Sequence, residues 1–282
     1  MSDDLAIIDI LRAELADESS IPPMNNNSVR LQKEIAKESP NLKQIENLIK
    51  ADAALTLQVL KIANSPMYKG LEQVDTIKEA MLRLGFDEIK NIVVWAIHQS
   101  SFQTDDPFIR DYKKRLFFHS LSCASGAVWA ARYLDMEEVR PRAFIAGLLH
   151  DIGSIYLLTA LEKVKKKNQI KKYPSDFVLE KLIHTYHTDE GYTLLKAWNL
   201  PDSLAVIARD HKAESFDTAN HLLCLIRLVN QICVKMEKGN PPEETAAVIS
   251  SSEAAILGVS ELGIAEIEIG IEGAQEKFKA LF

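Results

Sequence analysis

The apolar positions of this chain recur with helical spacing along almost its whole length. The clearest set follows the i, i+3, i+4, i+7 pattern of an amphipathic helix and comprises Ile77, Ala80, Met81 and Leu84. Thr76 and Glu79 stand at the spacing of a capping box, in which each side chain satisfies a backbone N–H at the helix start. Gly85 is a typical stop residue. These signals together predict a helix between Thr76 and Gly85.

The same reasoning predicts helices through the rest of the chain, and no series of apolar residues at period two competes with them. The predicted ranges are 4–17, 27–37, 42–51, 53–64, 87–100, 108–134, 141–160, 175–188, 189–198, 201–211, 217–237 and 260–281. The pattern therefore predicts an all-α fold.

Proline-containing breaks divide this helical sequence into three segments. Residues 1–104 are predicted to form an N-terminal helical lobe, and residues 105–238 a second helical lobe. Residues 239–282 form an acidic C-terminal segment with a helical apolar face made of Ile264, Ile267, Ile271 and Phe278. That face either covers the chain itself, which is the simpler interpretation, or docks a second subunit, so the oligomeric state stays open.

Two polar residues, His150 and Asp151, interrupt the longest apolar stretch, residues 143–161. A charged pair at the middle of a membrane span is poorly tolerated, so this stretch is predicted to be a core helix. Burying an unpaired charge costs several kcal/mol or more, which is a large part of a domain's net stability. The pair is therefore predicted to be neutralised by a cation or by hydrogen bonds.

Charge and composition narrow the classes of function. The net charge is −7, and the residues from Glu243 onward contain eight Glu and two Lys, so the rest of the chain is nearly neutral. No nucleic-acid partner is expected from this balance. One cluster is basic: Lys163, Lys165, Lys166, Lys167, Lys171 and Lys172. It is either a solvated helix end or a surface for an anionic ligand or a partner.

The acidic start of the chain carries no secretory signal, and no membrane association is expected, so a cytoplasmic location is predicted. Three cysteines stand at no metal-binding or redox spacing and are interpreted as reduced core residues: Cys123, Cys224 and Cys233.

Five residues of the second lobe could converge on one cavity: His119, His150, Asp151, His187 and His211. Neutral imidazole and carboxylate are ligands of borderline and hard divalent metals, so Fe, Mn, Zn or Ni would suit them. The competing interpretation makes each histidine an ordinary hydrogen-bonded residue. His98 and His221 are left with that interpretation, and His184 is interpreted as a supporting or surface residue.

Several motifs now point to a known family. In the first lobe they are Ile21-Pro22-Pro23, the run from Asp52 to Tyr68, Thr76 to Ala80, and Leu84-Gly85. In the second lobe they are His119-Ser120, Leu148 to Gly153, His187 with Gly191, Trp198 to Pro201, and Ala208 to His211. From about residue 21 to 238 the chain resembles the HDOD (HD-related output domain) branch of the HD superfamily of metal-dependent phosphohydrolases.

The resemblance implies a multi-helix HD-like bundle packed against an N-terminal helical lobe. It implies metal ligands at His119, His150, Asp151, His187 and His211, with Asp151 and His150 central to any catalysis. Where the resemblance implies a last aspartate ligand, this chain has Asn230, which offers only a neutral amide oxygen. The phosphodiesterase branch with a Gly-Tyr-Pro motif is a poor match, because that motif is absent and Ser154 replaces its lysine.

Three hypotheses follow for function. The leading one is a signal-transduction protein that acts by binding a protein partner or a small anionic ligand, with a retained but degenerate metal site. The second is a metal-dependent phosphohydrolase that cleaves phosphomonoesters or phosphodiesters with metal-activated water. The third is a structural scaffold whose histidines only form hydrogen bonds.

Overall fold

In the computed structural model, every regular element of the described residues is an α-helix. The structure describes residues 2–17, 21, 26–35, 37, 39–64, 73–86, 89–90, 92–93, 104–198 and 200–279. The helices are α1 (Ser2–Ala16), α2 (Asn26–Ile35), α3 (Leu42–Lys50), α4 (Ala53–Ala63), α5 (Ile77–Leu84), α6 (Pro107–Tyr133), α7 (Arg140–Leu149), α8 (Ile152–Lys166), α9 (Asp176–Ala197), α10 (Asp202–Asp210), α11 (His221–Glu237), α12 (Pro242–Ile249), α13 (Ser252–Leu257) and α14 (Glu261–Lys279). The predicted all-α fold is confirmed.

Local signals in the sequence account for several helix ends. The capping box at the start of α5 is formed as predicted: Thr76 and Glu79 each accept a hydrogen bond from the other's backbone. Gly85 ends that helix with φ of 78°, a backbone conformation that residues other than glycine rarely adopt. Asn41 and Asp52 cap α3 and α4 by accepting hydrogen bonds from backbone N–H groups.

The chain packs as two units, each built from separated segments. The first unit comprises residues 1–23, 102–120 and 149–217, and the second comprises residues 24–101, 121–148 and 218–282. These units group residues by packing rather than by position in the chain. The three consecutive segments predicted from the sequence therefore stay a prediction.

In the first unit, α8 packs against α9 and α1, and α9 packs against α10. The core shared by α1, α6, α8 and α9 is lined by Ile7, Leu11, Ile109, Tyr112, Leu157, Leu158, Leu161, Val164, Leu179 and Leu182. Glu14 at the end of α1 is buried and pairs with Lys163 of α8 and with Lys167, the C-cap residue of α8, at 2.8 and 2.7 Å. This core fixes α8, whose N-terminal end adjoins Asp151.

In the second unit, α11 packs against α12, α13 and α14, and α3 packs against α2, α4 and α5. Ile264, Ile267 and Ile271 are buried, so the apolar face predicted for the C-terminal segment packs on its own chain. The side chain of Phe278 lies outside the described residues. The three cysteines are buried and unoxidised, as predicted.

Two predicted helix boundaries were wrong. The predicted helix 141–160 is two helices, α7 and α8, because His150 and Asp151 form a turn between them. The predicted helices 175–188 and 189–198 are the single helix α9, because Gly191 lies inside the helix and serves packing. Most of the predicted helix 87–100 lies outside the described residues.

By length and composition, the stretch Arg142–Lys166 could cross a membrane, since its most apolar 18-residue window has a mean hydropathy of 1.6. Its most apolar window is 94% buried within the chain, which is typical of a core segment. The prediction that this stretch lies in a core is therefore confirmed.

Candidate metal centre

The His150-Asp151 pair forms the turn that leads into α8. Asp151 occupies the N-cap position of α8, with φ of −109° and ψ of 18°, yet its side chain makes no capping hydrogen bond. An N-cap aspartate normally accepts hydrogen bonds from the first turn of its helix. Here the carboxylate instead faces histidines of the first unit, while the positive end of the α8 dipole still favours its charge.

Two glycines let α8 and α9 meet backbone to backbone. A Cβ on Gly153 would lie 1.9 Å from the carbonyl oxygen of His187 and 2.5 Å from the backbone nitrogen of Gly191. No larger residue fits at Gly153, so this contact depends on glycine. The contact brings α9 close to the N-terminal end of α8, and His187 Nε2 lies 3.3 Å from Asp151 Oδ1.

A third side chain comes from the C-terminal end of α10. His211 is the C-cap residue of that helix, and its Nε2 lies 3.5 Å from Asp151 Oδ1. Its ring lies 4.9 Å from the ring of His150 and 5.2 Å from that of His187, centroid to centroid. One ligand atom from each of His150, Asp151 and His211 lies within 4.8 Å of the others, a separation at which a single ion can bind all three.

Backbone carbonyls fix the tautomers of two of these histidines. His187 Nδ1 lies 2.7 Å from Ile183 O, and His211 Nδ1 lies 2.9 Å from Ala208 O. A carbonyl oxygen can only accept, so each Nδ1 donates its proton there. When these rings are neutral, each Nε2 therefore presents a lone pair toward Asp151.

The pKa shifts describe a neutral imidazole beside a carboxylate. Burial lowers the pKa of His187 to about 4, against the opposing effect of Asp151. Burial acts to raise the pKa of the Asp151 carboxyl, but Lys212 and the surrounding histidines outweigh it and hold that pKa well below its usual range. At neutral pH, His187 is therefore an uncharged imidazole whose Nε2 can accept a hydrogen bond, and Asp151 carries a negative charge.

Three acceptor atoms of this cluster face one another, and none has a donor within hydrogen-bonding distance among the described residues. Asp151 Oδ1, His187 Nε2 and His211 Nε2 are buried and make no hydrogen bond with the described residues. Buried acceptors left in this state cost about 1–3 kcal/mol each. A divalent cation would satisfy all three, and imidazole with carboxylate suits Fe, Mn, Zn or Ni. The residues present therefore fit a metal ion.

Lys212 is a residue of this cluster that the sequence analysis missed. Its Nζ lies 3.9 Å from Asp151 Oδ1, and its side chain is 39% exposed. The sequence signal that could have identified it was its position directly after His211, which places it at the same end of α10.

The remaining predicted residues have varied positions. His119 is half-buried on α6, and its ring lies 5.4 Å from that of His150. Asn230 is buried on α11 in the second unit, so its role as a ligand stays a prediction. His184 is exposed on α9, His221 is exposed near Glu138, and His98 lies outside the described residues.

The part of the chain that carries this cluster matches a known family model. The model of the HDOD domain matches residues 21–214, which is more than half of the chain. The chain belongs to the HDOD family. This match includes the first-lobe motifs and the motifs around His119, His150, His187 and His211, and so confirms the resemblance seen in the sequence.

Two curated relatives of this HDOD protein are uncharacterised. A protein of Treponema pallidum (strain Nichols) is 24% identical over 209 residues, covering 71% of this chain and 39% of the relative. YuxH of Bacillus subtilis (strain 168) is 39% identical over 57 residues, covering 20% of this chain and 14% of the relative. The chain thus spans about two fifths, or less, of the length of these relatives.

Solved structures share the fold of this HDOD protein at 18% sequence identity. An HDOD domain protein of unknown function from Geobacter sulfurreducens has a TM-score of 0.73, with 98% of each chain covered. A Shewanella amazonensis SB2B protein, provisionally assigned as a metal-dependent phosphohydrolase, has a TM-score of 0.68, with 98% of this chain and 100% of that chain covered. A Marinobacter aquaeolei VT8 protein, provisionally assigned to signal transduction, also has a TM-score of 0.68, with 99% and 65% covered.

Proposed function

We propose that this HDOD protein is a cytoplasmic regulator that binds one divalent cation at Asp151, His150, His187 and His211, and uses the loaded site to bind a small anionic ligand or a signalling partner. The observation that carries this proposal is the contact of three buried acceptors: His187 Nε2 and His211 Nε2 lie 3.3 and 3.5 Å from Asp151 Oδ1. Such an arrangement is stable when a cation lies among the acceptors.

The charge of the cluster argues for binding with little or no hydrolysis. Asp151 is its one carboxylate among the described residues, because the side chain of Asp210 instead accepts two hydrogen bonds from Arg209, at 2.6 and 2.8 Å. Cleavage with two cations requires several anionic ligands to bridge and clamp them. Asn230 would add a neutral amide where the resemblance implies a carboxylate.

The alternative is a metal-dependent phosphohydrolase, and the burial of Asp151 next to His150 favours it. A bound divalent cation would supply Lewis-acid activation of water and of a phosphoryl group. Asp151 and His150 would then be the residues nearest to the reacting atoms. The shared fold of the phosphohydrolase-like structure does not decide between the two functions, because unrelated activities occur on one fold.

Within the basic cluster, the lysines from Lys163 to Lys167 at the C-terminal end of α8 offer little positive charge to a nucleic acid. Lys163 and Lys167 pair with Glu14, and Lys166 lies 2.6 Å from Glu162. Lys165 lies over the ring of Tyr173, 3.8 Å from its centroid. These four lysines therefore support the solvated-helix interpretation more than the interpretation as a binding surface.

The test is the metal content of the full chain purified without chelator, compared with Asp151→Asn. We expect close to one divalent ion per chain in the parent and its loss in the variant. Asp202→Asn is the matched control, because Asp202 is a largely exposed aspartate of the same unit. Absence of metal from the parent, after an attempt to reload it with Mn²⁺, Fe²⁺ or Zn²⁺, contradicts the proposal.

A second measurement separates the regulator from the enzyme. The loaded parent is assayed with chromogenic phosphomonoester and phosphodiester substrates. We expect the loaded parent to turn over these substrates no faster than the Asp151→Asn variant does. Turnover that depends on the metal and on Asp151 would establish the phosphohydrolase instead.

A further inference from the structure

The last helix, α14, carries apolar residues on two opposite faces. Its inner face is buried through three isoleucines, Ile264, Ile267 and Ile271. On the outer face, Leu262 and Ile269 are 68% and 62% exposed, and the exposed Ala265 lies between them. Because residues three and seven positions apart share one side of a helix, these three residues form a continuous row. They are termed the outer strip.

Contacts of the inner face keep the outer strip turned toward solvent. A Cβ on Gly270 would lie 2.4 Å from Trp129 Cγ, so α14 and α6 approach closely where residue 270 has no side chain. One turn further along α14, Gln275 donates a hydrogen bond to Ser122 Oγ at 2.7 Å. Rotation of α14 to bury the outer strip would break both contacts and expose the isoleucines of the inner face.

An aromatic ring extends the outer strip on one flank. Tyr133, the last residue of α6, is 45% exposed, and its Cε1 would lie 3.2 Å from a Cβ on Gly263. Its ring stacks on that of Trp129, with centroids 5.3 Å apart and planes inclined by 18°. Single exposed apolar residues are common, but a row of them beside a rigidly stacked tyrosine is typical of a contact surface.

The charge of α14 is strongly negative. Its described side chains that carry a charge are all glutamates: Glu261, Glu266, Glu268, Glu272 and Glu276. Glu268 pairs with Lys235 of α11, whereas the other four form no ion pair with the described residues. Lys277 and Lys279 follow at the end of the helix, and their side chains lie outside the described residues. Four carboxylates of α14 therefore stay available to a partner.

These carboxylates border the outer strip. Helical geometry places Glu266 on one side of the row and Glu261 and Glu272 on the other side. Glu276 follows Ile269 by seven residues and so continues the row beyond its apolar part. A binding partner would therefore meet an apolar row that is flanked and extended by negative charge.

We propose that the outer strip of α14 docks a basic amphipathic helix of another protein. Apolar residues of that helix, spaced as in a heptad, would pack on Leu262 and Ile269. Lysine or arginine residues beside them would pair with the four available glutamates, as charges beside an apolar seam do when they select a partner. The inference goes beyond the proposed function and does not depend on the metal site, because all of these residues belong to the second unit.

Charge disfavours the other occupants of this face. A second copy that paired through the same face would bring its own glutamates against those of the first, because such a contact is symmetric. Like charges placed opposite each other oppose association. Anionic lipids and nucleic acids are repelled for the same reason. A basic protein helix is complementary to both the apolar row and its border.

The experiment measures binding of a designed peptide to the full chain by fluorescence anisotropy. The probe is a labelled helical peptide of three heptads, with leucine at positions a and d and lysine at positions e and g, so that like charges oppose its self-association. A second peptide has glutamate in place of every lysine. The variants are Leu262→Ala and Ile269→Ala, which truncate the apolar row, and the double variant Glu272→Gln with Glu276→Gln, which removes two charges.

Two controls change similar residues elsewhere in the second unit. Leu82→Ala truncates a leucine of α5 that is 78% exposed, and Glu243→Gln neutralises an exposed glutamate of α12. All of these substitutions are on the surface, so urea unfolding should show nearly unchanged stability. Metal content of each variant should equal that of the parent, which separates this test from that of the proposed function.

We expect the lysine peptide to bind the parent with a Kd of about 10 µM or lower. Leu262→Ala and Ile269→Ala should each raise this Kd at least about fivefold, because each removes apolar surface from the contact. The double glutamine variant should raise it about tenfold at low salt and much less at about 1 M salt, where charges are screened within roughly 3 Å. The glutamate peptide should bind at least about twentyfold more weakly, and the two controls should change the Kd less than about twofold.

The inference is overturned if the lysine peptide does not bind the parent, or if it binds the α14 variants as tightly as it binds the parent and the controls. Equal binding of the two peptides would also overturn it, because charge would then play no part. Sedimentation equilibrium of the full chain tests the second-copy alternative. A dimer that dissociates in Ile269→Ala would assign the outer strip to self-association and contradict the proposal, whereas a parent that stays monomeric supports it.

Discussion

Gly153 and His187 touch through their backbones: a Cβ on Gly153 would lie 1.9 Å from the carbonyl oxygen of His187. This contact joins the first turn of α8 to the middle of α9. Because Asp151 precedes α8 and the imidazole of His187 projects from α9, the spacing of these backbones sets the distance between carboxylate and imidazole. The geometry of the cluster therefore depends on a residue that has no side chain.

Gly153→Ala should damage both stability and metal binding. The added methyl group must move α8 and α9 apart, and overpacking of this kind should lower the free energy of unfolding by about 3 kcal/mol or more. Urea unfolding measures this loss, and metal content measures the second effect. Gly273→Ala is the control, because nothing lies within 4 Å of a Cβ there and alanine is favoured inside a helix by about 0.5–1 kcal/mol. Equal losses in the two variants would contradict the prediction.

Asp151→Asn should leave the chelated protein at least as stable as the chelated parent. The amide group of the variant has two donors, which can face His187 Nε2 and His211 Nε2, and each hydrogen bond contributes about 1 kcal/mol. Urea unfolding in the presence of chelator measures the effect. Added Mn²⁺ should then raise the unfolding midpoint of the parent but not that of the variant. A large destabilisation of the chelated variant would show that Asp151 is held by structural hydrogen bonds instead.

Two buried tyrosines should respond oppositely to loss of the hydroxyl group. Tyr156 is 2% exposed and its Oη makes no hydrogen bond with the described residues, whereas Tyr112 donates to Asp176 at 2.9 Å. Tyr156→Phe should therefore raise the free energy of unfolding by about 1 kcal/mol, and Tyr112→Phe should lower it by a similar amount. Denaturant unfolding of both variants at neutral pH checks the signs. A loss in Tyr156→Phe would contradict the prediction.

Tyr156 also predicts how stability changes at alkaline pH. Burial raises the pKa of Tyr156 to about 12, with further contributions from Glu190, Glu14 and Asp17. Between pH 10 and 12 the phenol ionises in the unfolded chain but not in the folded one, so the unfolded state binds fewer protons and stability falls as pH rises. The loss amounts to roughly 3 kcal/mol. Unfolding followed across this range should give a flatter curve for Tyr156→Phe, and parallel curves would show that other groups cause the loss.

Glu14 should contribute more to stability than an exposed glutamate with a similar ion pair. It is buried and pairs with both Lys163 and Lys167, so Glu14→Gln should cost about 1–2 kcal/mol. Glu137 pairs with Arg140 on the surface, and Glu137→Gln should cost less than about 0.5 kcal/mol. Thermal unfolding of both variants in low and high salt measures these costs. Equal costs would contradict the prediction that burial increases the contribution of Glu14 to stability.

The elements of the fold could be predicted from the sequence where local chemistry determines them. Thr76, Glu79 and Gly85 act through neighbours within one turn, so the ends of α5 followed directly from residue types. The turn at His150 and Asp151 could not be predicted in this way, because apolar residues continue on both sides of it. The break predicted between residues 188 and 189 was wrong, because α9 continues through Gly191, which packs against Gly153.

The candidate site shows the same division. Residue types and family motifs identified His150, Asp151, His187 and His211, which the structure brings together. Lys212 was missed, because a lysine after a helix end is normally a solvated surface residue and only the distance to Asp151 reveals its effect. Asn230 was chosen from its position in a family motif alone, and the sequence does not give its distance from the cluster.

The long separation of the segments in the first unit has a consequence for synthesis of the chain on the ribosome. Ile7 and Leu11 of α1 share a core with Leu158 and Leu161, which are translated about 150 residues later. Until α8 and α9 have emerged, only the α6 part of this core, which includes Ile109 and Tyr112, has been synthesised. The core around α1 therefore stays incomplete until the segment from α6 through α9 has been synthesised, and chaperones can bind the apolar face of α1 during that interval.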